Sequence, residues 1–357
     1  MAAEFARSSD VHGLSVAGTD LEGAERVARI LGGSSRKVRG IEVDVRRAGA
    51  LAQAAAESDV VVSCAGPAYL LEAPSVEGAI EAGIPYVSLC DDHLAAAESV
   101  AFDQVARDRG VTVVSGCGLS PGITNLLVAF AATELDEVSE IDIAVATSSA
   151  EAEGRASALH MLFQMTADAP VLSDRRQTTD KPGGAAHLVY FPEPVGWVET
   201  FRCGHPEILT LPRGFPDLQS LQFHIGLTEK VAMDVVRASA LVGFGKNEYA
   251  RRLWSRVTAP ARPMIAALPP RGPGWTAARV DVWGTRDGRR TAVSLACVDR
   301  LLNLASTPLV LVALELGAGR VVAPGVRAPD EVLDPKSILR ALGRRGIRIA
   351  RLEPQPV

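Results

Sequence analysis

Paired cysteines, basic clusters and long apolar runs are all scarce in this sequence, and each scarcity excludes a class of function. There are five cysteines, Cys64, Cys90, Cys117, Cys203 and Cys297, an odd number with no CxxC and no paired spacing. A disulfide framework is therefore not expected, and with the histidines scattered a zinc site has little support. The net charge is -5, and no stretch combines clustered Lys and Arg with aromatics, so nucleic acid is not an expected partner. Arg340 to Arg351 is basic, but it reads as a solvated helix and strand. Met1 to Asp10 has no apolar core and no cleavage pattern, so no signal peptide is visible. The longest late apolar run, Leu301 to Leu314, contains Asn303 and Pro308 and is too short to span a bilayer. A soluble, cytoplasmic protein with no membrane partner is the expectation.

What the chain does have is material for packed cores, with 47% hydrophobic residues over 357 positions, enough for two domains. Its first third alternates short apolar runs with helical periodicity. Leu14–Ala17, Ile41–Val45, Asp59–Cys64, Pro85–Leu89 and Val111–Ser115 read as strands. Leu21–Leu31, Ala48–Glu57, Pro74–Ala82 and Leu94–Arg109 read as the helices between them. Strands alternating with helices of this length predict a parallel sheet covered on both faces, with ligands bound beyond the C-terminal strand ends. At those ends stand Gly18-Thr19-Asp20, then Asp44-Val45, then Cys64-Ala65-Gly66-Pro67. In a Rossmann arrangement these turns meet a dinucleotide's ribose, adenine and nicotinamide ends. Taken singly, each is also an ordinary short turn.

One part of that arrangement is missing. No strand–GxGxxG–helix unit, which would seat a pyrophosphate on a helix N-terminus, occurs in the chain. Ala2 to Arg7 reads as the last turns of a helix, and the strand at Leu14 corresponds to the second strand of the fold. The absent strand would lie between those at Leu14 and Asp59. We expect the natural start to lie upstream of Met1. The alternative is a chain that has lost dinucleotide binding and uses the cleft differently.

With these elements in order, the chain resembles the saccharopine dehydrogenase-like oxidoreductases. Ser63-Cys64-Ala65-Gly66-Pro67 looks like the family turn after the fourth Rossmann strand. Gly83 to Leu89, running into Cys90-Asp91-Asp92, looks like the next strand and loop. Gly116-Cys117-Gly118-Leu119-Ser120-Pro121-Gly122-Ile123-Thr124-Asn125 resembles the family's GxGxxPGxxN segment, the most specific match. Ala323-Pro324-Gly325-Val326 with Ala328-Pro329-Asp330-Glu331 resembles its closing motif. The likeness spans most of the chain and is weakest in the middle. It departs at the absent glycine fingerprint, at Gly18-Thr19, where Asp-Arg or Gly-Arg is frequent, and at Ser120, where Asp is common.

The residues themselves suggest roles. Gly18 lacks the acid that would bind a ribose 2′-OH and repel a 2′-phosphate, which favours NADP over NAD, and Thr19 can donate to that phosphate; the plainer reading is a helix-cap turn. Gly116, Gly118 and Gly122 permit positive φ and close approach of a ligand, and free N–H groups at the start of the helix Ile123–Ala132 suit a carboxylate or carboxamide; the alternative is a tight domain-crossing turn. Asp91 and Asp92 are candidates for amine binding or proton transfer, or for a helix cap. Cys117 is a candidate acid or a small buried residue. The expected catalytic residues are Asp91 and Cys117. The expected cofactor contacts are Gly18, Thr19, Asp44, Val45, Cys64, Ala65, Gly66, Pro67 and Gly118, with NADP or NAD as cofactor and no metal.

After Asp136 the pattern changes. Ile141–Ala146 reads as a strand, and Leu221, Phe223, Ile225 and Leu227 alternate as in a half-exposed strand. Val280 and Val282 lead through Arg286-Asp287-Gly288 into Thr291–Val298, a hairpin. These features predict a largely antiparallel sheet with one face free. Pro260 to Trp275 reads as a loop. His205-Pro206-Glu207 with Thr210 to Arg213 resembles a family loop near the substrate cleft, although His205 by itself reads as solvated or capping. Leu301–Leu316 is expected to return to the first sheet. The expected fold is α/β: a Rossmann-like parallel sheet lacking its first strand (residues 1–135), an α+β substrate and dimerisation domain (136–300), and a returning segment (301–357). The expected function is NAD(P)-dependent hydride transfer to an imine, enoyl or keto group of a small metabolite, in a homodimer as the resemblance implies. The alternative is a degenerate Rossmann protein without redox activity that binds a metabolite or partner subunit.

Overall fold

The computed structural model describes residues 1–32, 37–151, 155–181, 184–245, 247–258, 260 and 274–354. Its first part holds α1 (Ala2–Arg7), β1 (Leu14–Gly18), α2 (Leu21–Gly32), β2 (Val38–Glu42), α3 (Ala50–Ala55), β3 (Val61–Ser63), α4 (Ala68–Ala82), β4 (Tyr86–Ser88), α5 (His93–Val100), α6 (Asp103–Asp108), β5 (Thr112–Val114) and α7 (Ile123–Ala132). All strand pairs here are parallel, but they form two sheets. β1 pairs with β2, and β3, β4 and β5 form a second set. Among the described residues no ladder joins β1 to β3, and that is where the sequence places the missing strand. Val60, Val62 and Leu14 are partly buried and pack on the main core, so apolar side chains still meet around this break.

Several boundaries differ from expectation for local reasons. β2 ends at Glu42, and Asp44 and Val45 lie in the following turn, where Arg47 N donates to Asp44 O at 3.0 Å. α4 begins at Ala68, directly after the Gly66–Pro67 peptide, and carries Pro74 inside it. The helix expected over 94–109 is two helices, broken at Ala101 and Phe102.

The second part holds β6 (Glu137–Thr147), α8 (Arg155–Gln164), β7 (Ala169–Ser173), β8 (Arg176–Asp180), β9 (His187–Phe191), β10 (Gly196–Arg202), α9 (Glu207–Thr210), β11 (Ser220–Leu227), α10 (Lys230–Leu241), α11 (Glu248–Thr258), β12 (Thr276–Arg286) and β13 (Arg289–Asp299). It closes with α12 (Leu301–Gly317), β14 (Gly325–Arg327), α13 (Pro329–Val332), α14 (Pro335–Arg344) and β15 (Arg348–Leu352). The sheet runs β15-β13-β12-β6-β11-β10-β9, with β7 and β8 attached at β11. Its pairs are antiparallel except β6–β11. The β12–β13 hairpin turns at Asp287 (φ 52°) and Gly288 (φ 70°), the positive-φ pair that a tight hairpin needs. The expected loop at 260–275 falls mostly outside the described residues.

One sheet face carries Ile141, Ile143, Val145, Leu221, Phe223, Ile225, Val280 and Val282 into the main core, against α7. Each such side chain contributes roughly 1.5–3 kcal/mol when fully buried. The other face is not free, contrary to the sequence reading. Phe191 and Val198 of the β9–β10 hairpin cover Ala144, Ala146, Ala277 and Val298, and His224 is buried there as well. α12 does return to pack on β3 and β4, and β14 extends the parallel set beside β5. Four of the cysteines are buried and Cys64 is exposed; all are free thiols. Among the described residues no helix is long and apolar enough to cross a membrane.

Candidate active site

The C-terminal ends of β3, β4 and β5 point one way, and α4 is fastened beneath them. Glu72 of α4 is buried and accepts hydrogen bonds from Tyr86 Oη (2.9 Å), Ser88 Oγ (2.6 Å) and Ser115 Oγ (3.0 Å). Burial pushes the Glu72 carboxyl up; the three hydroxyls oppose the rise and Asp91 adds to it. This carboxyl ties one helix to two strands just below the turns where ligands of such sheets bind.

At the end of β4, Asp92 caps α5: its Oδ1 accepts from the Leu94 and Ala95 amides, both at 2.9 Å. Capping is therefore Asp92's first role, as the sequence allowed. Its Oδ2 is buried with no hydrogen-bond partner. His160 of α8 reaches across from the second part of the fold, with Nε2 3.3 Å from Asp91 Oδ2 and Nδ1 3.8 Å from Asp92 Oδ2. Both ring nitrogens are shielded from water and make no hydrogen bond. Asp91 itself is 46% exposed in its side chain and opens this group to solvent. Phe163, one helical turn on from His160, stacks on Tyr69 at 5.3 Å and on His93 at 6.2 Å. Burial holds the His93 imidazole below the ordinary histidine value, with Asp92 opposing and His205 and His160 reinforcing. Gly204 makes this packing possible, since a Cβ there would lie 2.8 Å from His93 Cε1.

The turn after β5 is held by two more carboxylates. Ser120 Oγ and Thr124 Oγ1 donate to Glu207 Oε1 at 2.5 and 2.8 Å, and His205 Nδ1 meets Glu207 Oε2. Burial pushes Glu207 up, but the His205 charge and the three hydrogen bonds outweigh it, and the net direction is down. Asn125 Nδ2 donates to Asp330 Oδ1 at 2.8 Å, while Asn125 Oδ1 takes the Gly122 amide. His205 is 3% exposed and stacks on Phe223 at 3.8 Å, so it is neither solvated nor a cap.

Two expectations for this turn are corrected. Gly116 (φ 76°) and Gly122 (φ 133°) are needed, but the chain itself makes the close approach. A Cβ on Gly116 would lie 2.4 Å from Pro121 Cγ, and one on Gly122 would lie 2.1 Å from Gly118 O. The first amides of α7 are also occupied, Ile123 N by Gly118 O and Thr124 N by Leu119 O, both at 3.0 Å. They offer nothing to a carboxylate. Gly118 is buried against Leu89, whose Cδ2 would lie 3.2 Å from a Cβ at that position. Cys117 is fully buried in the main core, and burial pushes its thiol far up.

The other expected contacts sit at strand ends. Nothing lies within 4 Å of where a Gly18 Cβ would be, and Thr19 is exposed beside it. Asp20 caps α2 through Gly23 N at 3.1 Å. Asp44 is engaged by Arg46, whose Nε and Nη2 donate at 2.9 and 2.8 Å; these bonds pull the carboxyl down to about 2. Val45 is half-buried. Cys64, Ala65 and Gly66 are exposed and Pro67 half-buried, with Cys64 Sγ 3.2 Å from Met1 Sδ. A groove of about 780 Å³ lies elsewhere, on the outer sheet face beside Tyr190, Trp197 and Arg279. Four of the five N–H groups of its buried Arg279 are taken by Asp281 and by the carbonyls of Tyr190 and Glu353, so it has little to offer a ligand. Among the described residues no three His, Cys, Asp or Glu side chains gather as metal ligands.

A parallel sheet with exposed turns at its C-terminal ends, joined to a larger mixed sheet, defines a Rossmann-type protein with a second domain. Residues 1–114 match the family model described as saccharopine dehydrogenase NADP binding domain. The whole chain also has the fold of saccharopine dehydrogenase (L-Glu forming) from Saccharomyces cerevisiae, with TM-score 0.67 and 15% identity over 99% of this chain and 96% of that one. Looser likenesses are to amine dehydrogenase from Mycobacterium smegmatis (TM-score 0.43, 11% identity, 92% and 97% coverage) and to DAP dehydrogenase from C. glutamicum (TM-score 0.44, 13% identity, 94% and 99% coverage).

The residues present fit two ends of a dinucleotide. Open space at Gly18, with Thr19 exposed beside it, suits the adenosine ribose. The orphaned Asp92 Oδ2 and His160 Nδ1, next to the exposed Ala65–Gly66 turn, suit a polar group at the nicotinamide end. Among the described residues no glycine-rich turn serves the pyrophosphate between them.

Proposed function

We propose that this protein is an NAD(P)-dependent oxidoreductase that reduces an imine, enoyl or keto group of a small metabolite, working in the cytoplasm as a homodimer. The observation that carries the reading is the meeting of Asp91, Asp92 and His160 at the end of β4, beside the β3–α4 turn, in a domain matched by an NADP-binding family model. When bound, the dihydronicotinamide supplies a hydride. The residues of this chain do the rest. Gly18 and Thr19 leave room for a 2′-phosphate after β1, and Val43 N, bonded to Gly18 O at 2.9 Å, ties that turn to the end of β2. Asp91, half open to water and 3.3 Å from His160, passes the balancing proton between solvent and the pocket. Phe163 and Tyr69 close the apolar side and exclude water. Cys117, buried with its thiol pushed up, has no part in the scheme.

Calorimetric titration of the purified protein with NADPH and NADH tests the reading. NADPH is expected to bind, more tightly than NADH. If neither binds at millimolar concentration, the reading fails. A second reading is favoured by the edges of β1 and β3, which have no strand partner there among the described residues: a non-redox protein that holds a metabolite in the same cleft. It predicts binding of small metabolites without either nucleotide.

A further inference from the structure

The β9–β10 hairpin lies over the outer face of the mixed sheet but is lightly joined to it. Its two strands pair with each other from Gly196–Phe191 to Thr200–His187. Its ladder to the sheet holds two pairs, Phe201 with Ile225 and Arg202 with His224. Phe201 is buried in the main core and anchors the hairpin. Beyond that anchor the cover rests on side-chain packing, with Phe191 and Val198 on Ala144, Ala146, Ala277 and Val298. Gly226 lets the hairpin lie down, since a Cβ there would stand 2.5 Å from Glu199 O.

A histidine from the hairpin and one from the sheet meet under this cover. His187 of β9 and His224 of β11 bring their rings to 4.4 Å, centroid to centroid. His224 is buried, with Nδ1 3.1 Å from Asp142 Oδ1. A carboxylate only accepts, so Nδ1 carries a proton. The other ring nitrogen, Nε2, is buried with no partner. The charges around the two rings are otherwise paired. Arg202 of β10 is held by Asp180 of β8 and by Gln222 of β11. Arg279 of β12 is held by Asp281 at 2.6 and 2.8 Å. Glu199 of β10 takes Lys230 of α10 at 2.7 Å. Among the described residues that leaves Asp142 of β6 as the acid facing the two imidazoles, enough to balance a single imidazolium.

We propose that His187 and His224 form an acid-released latch: the hairpin stays down while at most one of the two rings is charged, and lifts from the sheet when both are. Two imidazolium rings at 4.4 Å repel each other, and Arg202 adds to the repulsion. A proton on His224 Nε2 meets no acceptor until the hairpin opens to water. Burial holds the His187 imidazole below the ordinary histidine value of 6.5; His224 and Arg202 reinforce this and Asp142 opposes it. The closed state therefore binds this proton less well than the open one. The hold of the hairpin is fully present above pH 6.5 and is lost as pH falls below it. Release uncovers the apolar face at Ala144, Ala146 and Ala277, and it frees Arg279 Nη1 from Tyr190 O. The latch works whether or not the protein binds a nucleotide.

Amide hydrogen exchange of the whole protein, read by mass spectrometry at about pH 7.5 and about pH 5.5 and corrected for the intrinsic pH dependence of exchange, tests the latch. A two-stranded hairpin is marginal by itself in water, so lifting it exposes its amides. An opening that takes up one proton is favoured by up to about tenfold per pH unit. Protection of β9 and β10 is therefore expected to fall about 3- to 10-fold at the lower pH, while that of β12 and β13 holds. His187→Phe keeps a ring against His224 and takes no proton. His187→Gln, a second uncharged variant at this half-buried position, guards against a failure of the first to fold. Either variant is expected to cut the fall to less than about 2-fold. The proposal is overturned if the parent protects the hairpin equally at both pH values. It is also overturned if β12 and β13 lose protection by the same factor, since acid then loosens the whole sheet, or if a variant with the circular-dichroism spectrum of the parent keeps the full fall.

Discussion

Removing the charge of Asp330 should stabilise this protein at neutral pH, and the reason is its position. Asp330 stands at the start of α13, half-buried beside Asn125, which donates to its Oδ1 at 2.8 Å. Burial pushes its carboxyl from the ordinary 3.8 up to about 6; the backbone and Asn125 hydrogen bonds oppose the rise, and the charges of Glu331 and Glu207 add to it. The folded state therefore holds this proton more tightly than the unfolded chain does. The stability it contributes is fully present below pH 3.8 and is lost as pH rises through about 6. The shift of 2.2 pK units, from 3.8 to about 6, corresponds at about 1.4 kcal/mol per unit to about 3 kcal/mol. Asp330→Asn keeps an oxygen for Asn125 and has no charge to bury. Urea midpoints of parent and variant are expected to differ by about 3 kcal/mol in favour of the variant at pH 8, and by about half of that at pH 5. A variant less stable than the parent at pH 8, or an advantage that is the same at both pH values, would refute the reasoning.

Two further outcomes follow from the same turn. Gly122→Ala places a Cβ 2.1 Å from Gly118 O at φ 133°, and should lower stability by about 3 kcal/mol or more; an unchanged urea midpoint contradicts the account of the turn. Glu207→Ala strips Ser120, Thr124 and His205 of their buried partner and should cost about 3–5 kcal/mol, with Glu207→Gln milder in circular-dichroism melts. Because the Glu207 carboxyl is held down in the folded state, its contribution is present above the ordinary glutamate value of 4.5 and lost as pH falls below it. A parent protein whose stability does not fall below pH 4.5 any faster than that of Glu207→Gln argues against that ion pair.

Local signals carried much of the fold. The strands at Leu14, Val61, Tyr86 and Thr112 and the helix at Ile123 are legible because apolar runs and helical spacing are set by residues within one element. The Asp287-Gly288 hairpin is legible because positive φ at two successive residues restricts what can stand there. The covered face of the mixed sheet was not legible. Leu221, Phe223 and Ile225 alternate with Gln222, His224 and Gly226 as a half-exposed strand does. Yet the β9–β10 hairpin folds over the polar side, and His224 is buried with Asp142 at 3.1 Å. Alternation records the polarity of the two faces and says nothing about which distant hairpin lies over one of them.

The site shows the same limit more sharply. Asp91 and Asp92 stand out in sequence as adjacent acids after a strand, and the cap at Asp92 follows from local pattern alone. Their partner His160 is far along the chain, on a helix with no motif, and only the tertiary fold brings it there. Nor does a glycine announce what approaches it. Gly116 and Gly122 were legible as positions where a side chain cannot stand, and that much holds. The intruder at Gly116 is the ring of Pro121 and at Gly122 the carbonyl of Gly118, so the glycines of this turn are needed by the turn itself. The unpartnered polar atoms of Asp92 and His160 lie instead one strand away, at the end of β4. A polar atom left unpartnered inside a protein is costly wherever it occurs, and it therefore points to a ligand more directly than a glycine whose missing side chain is already accounted for.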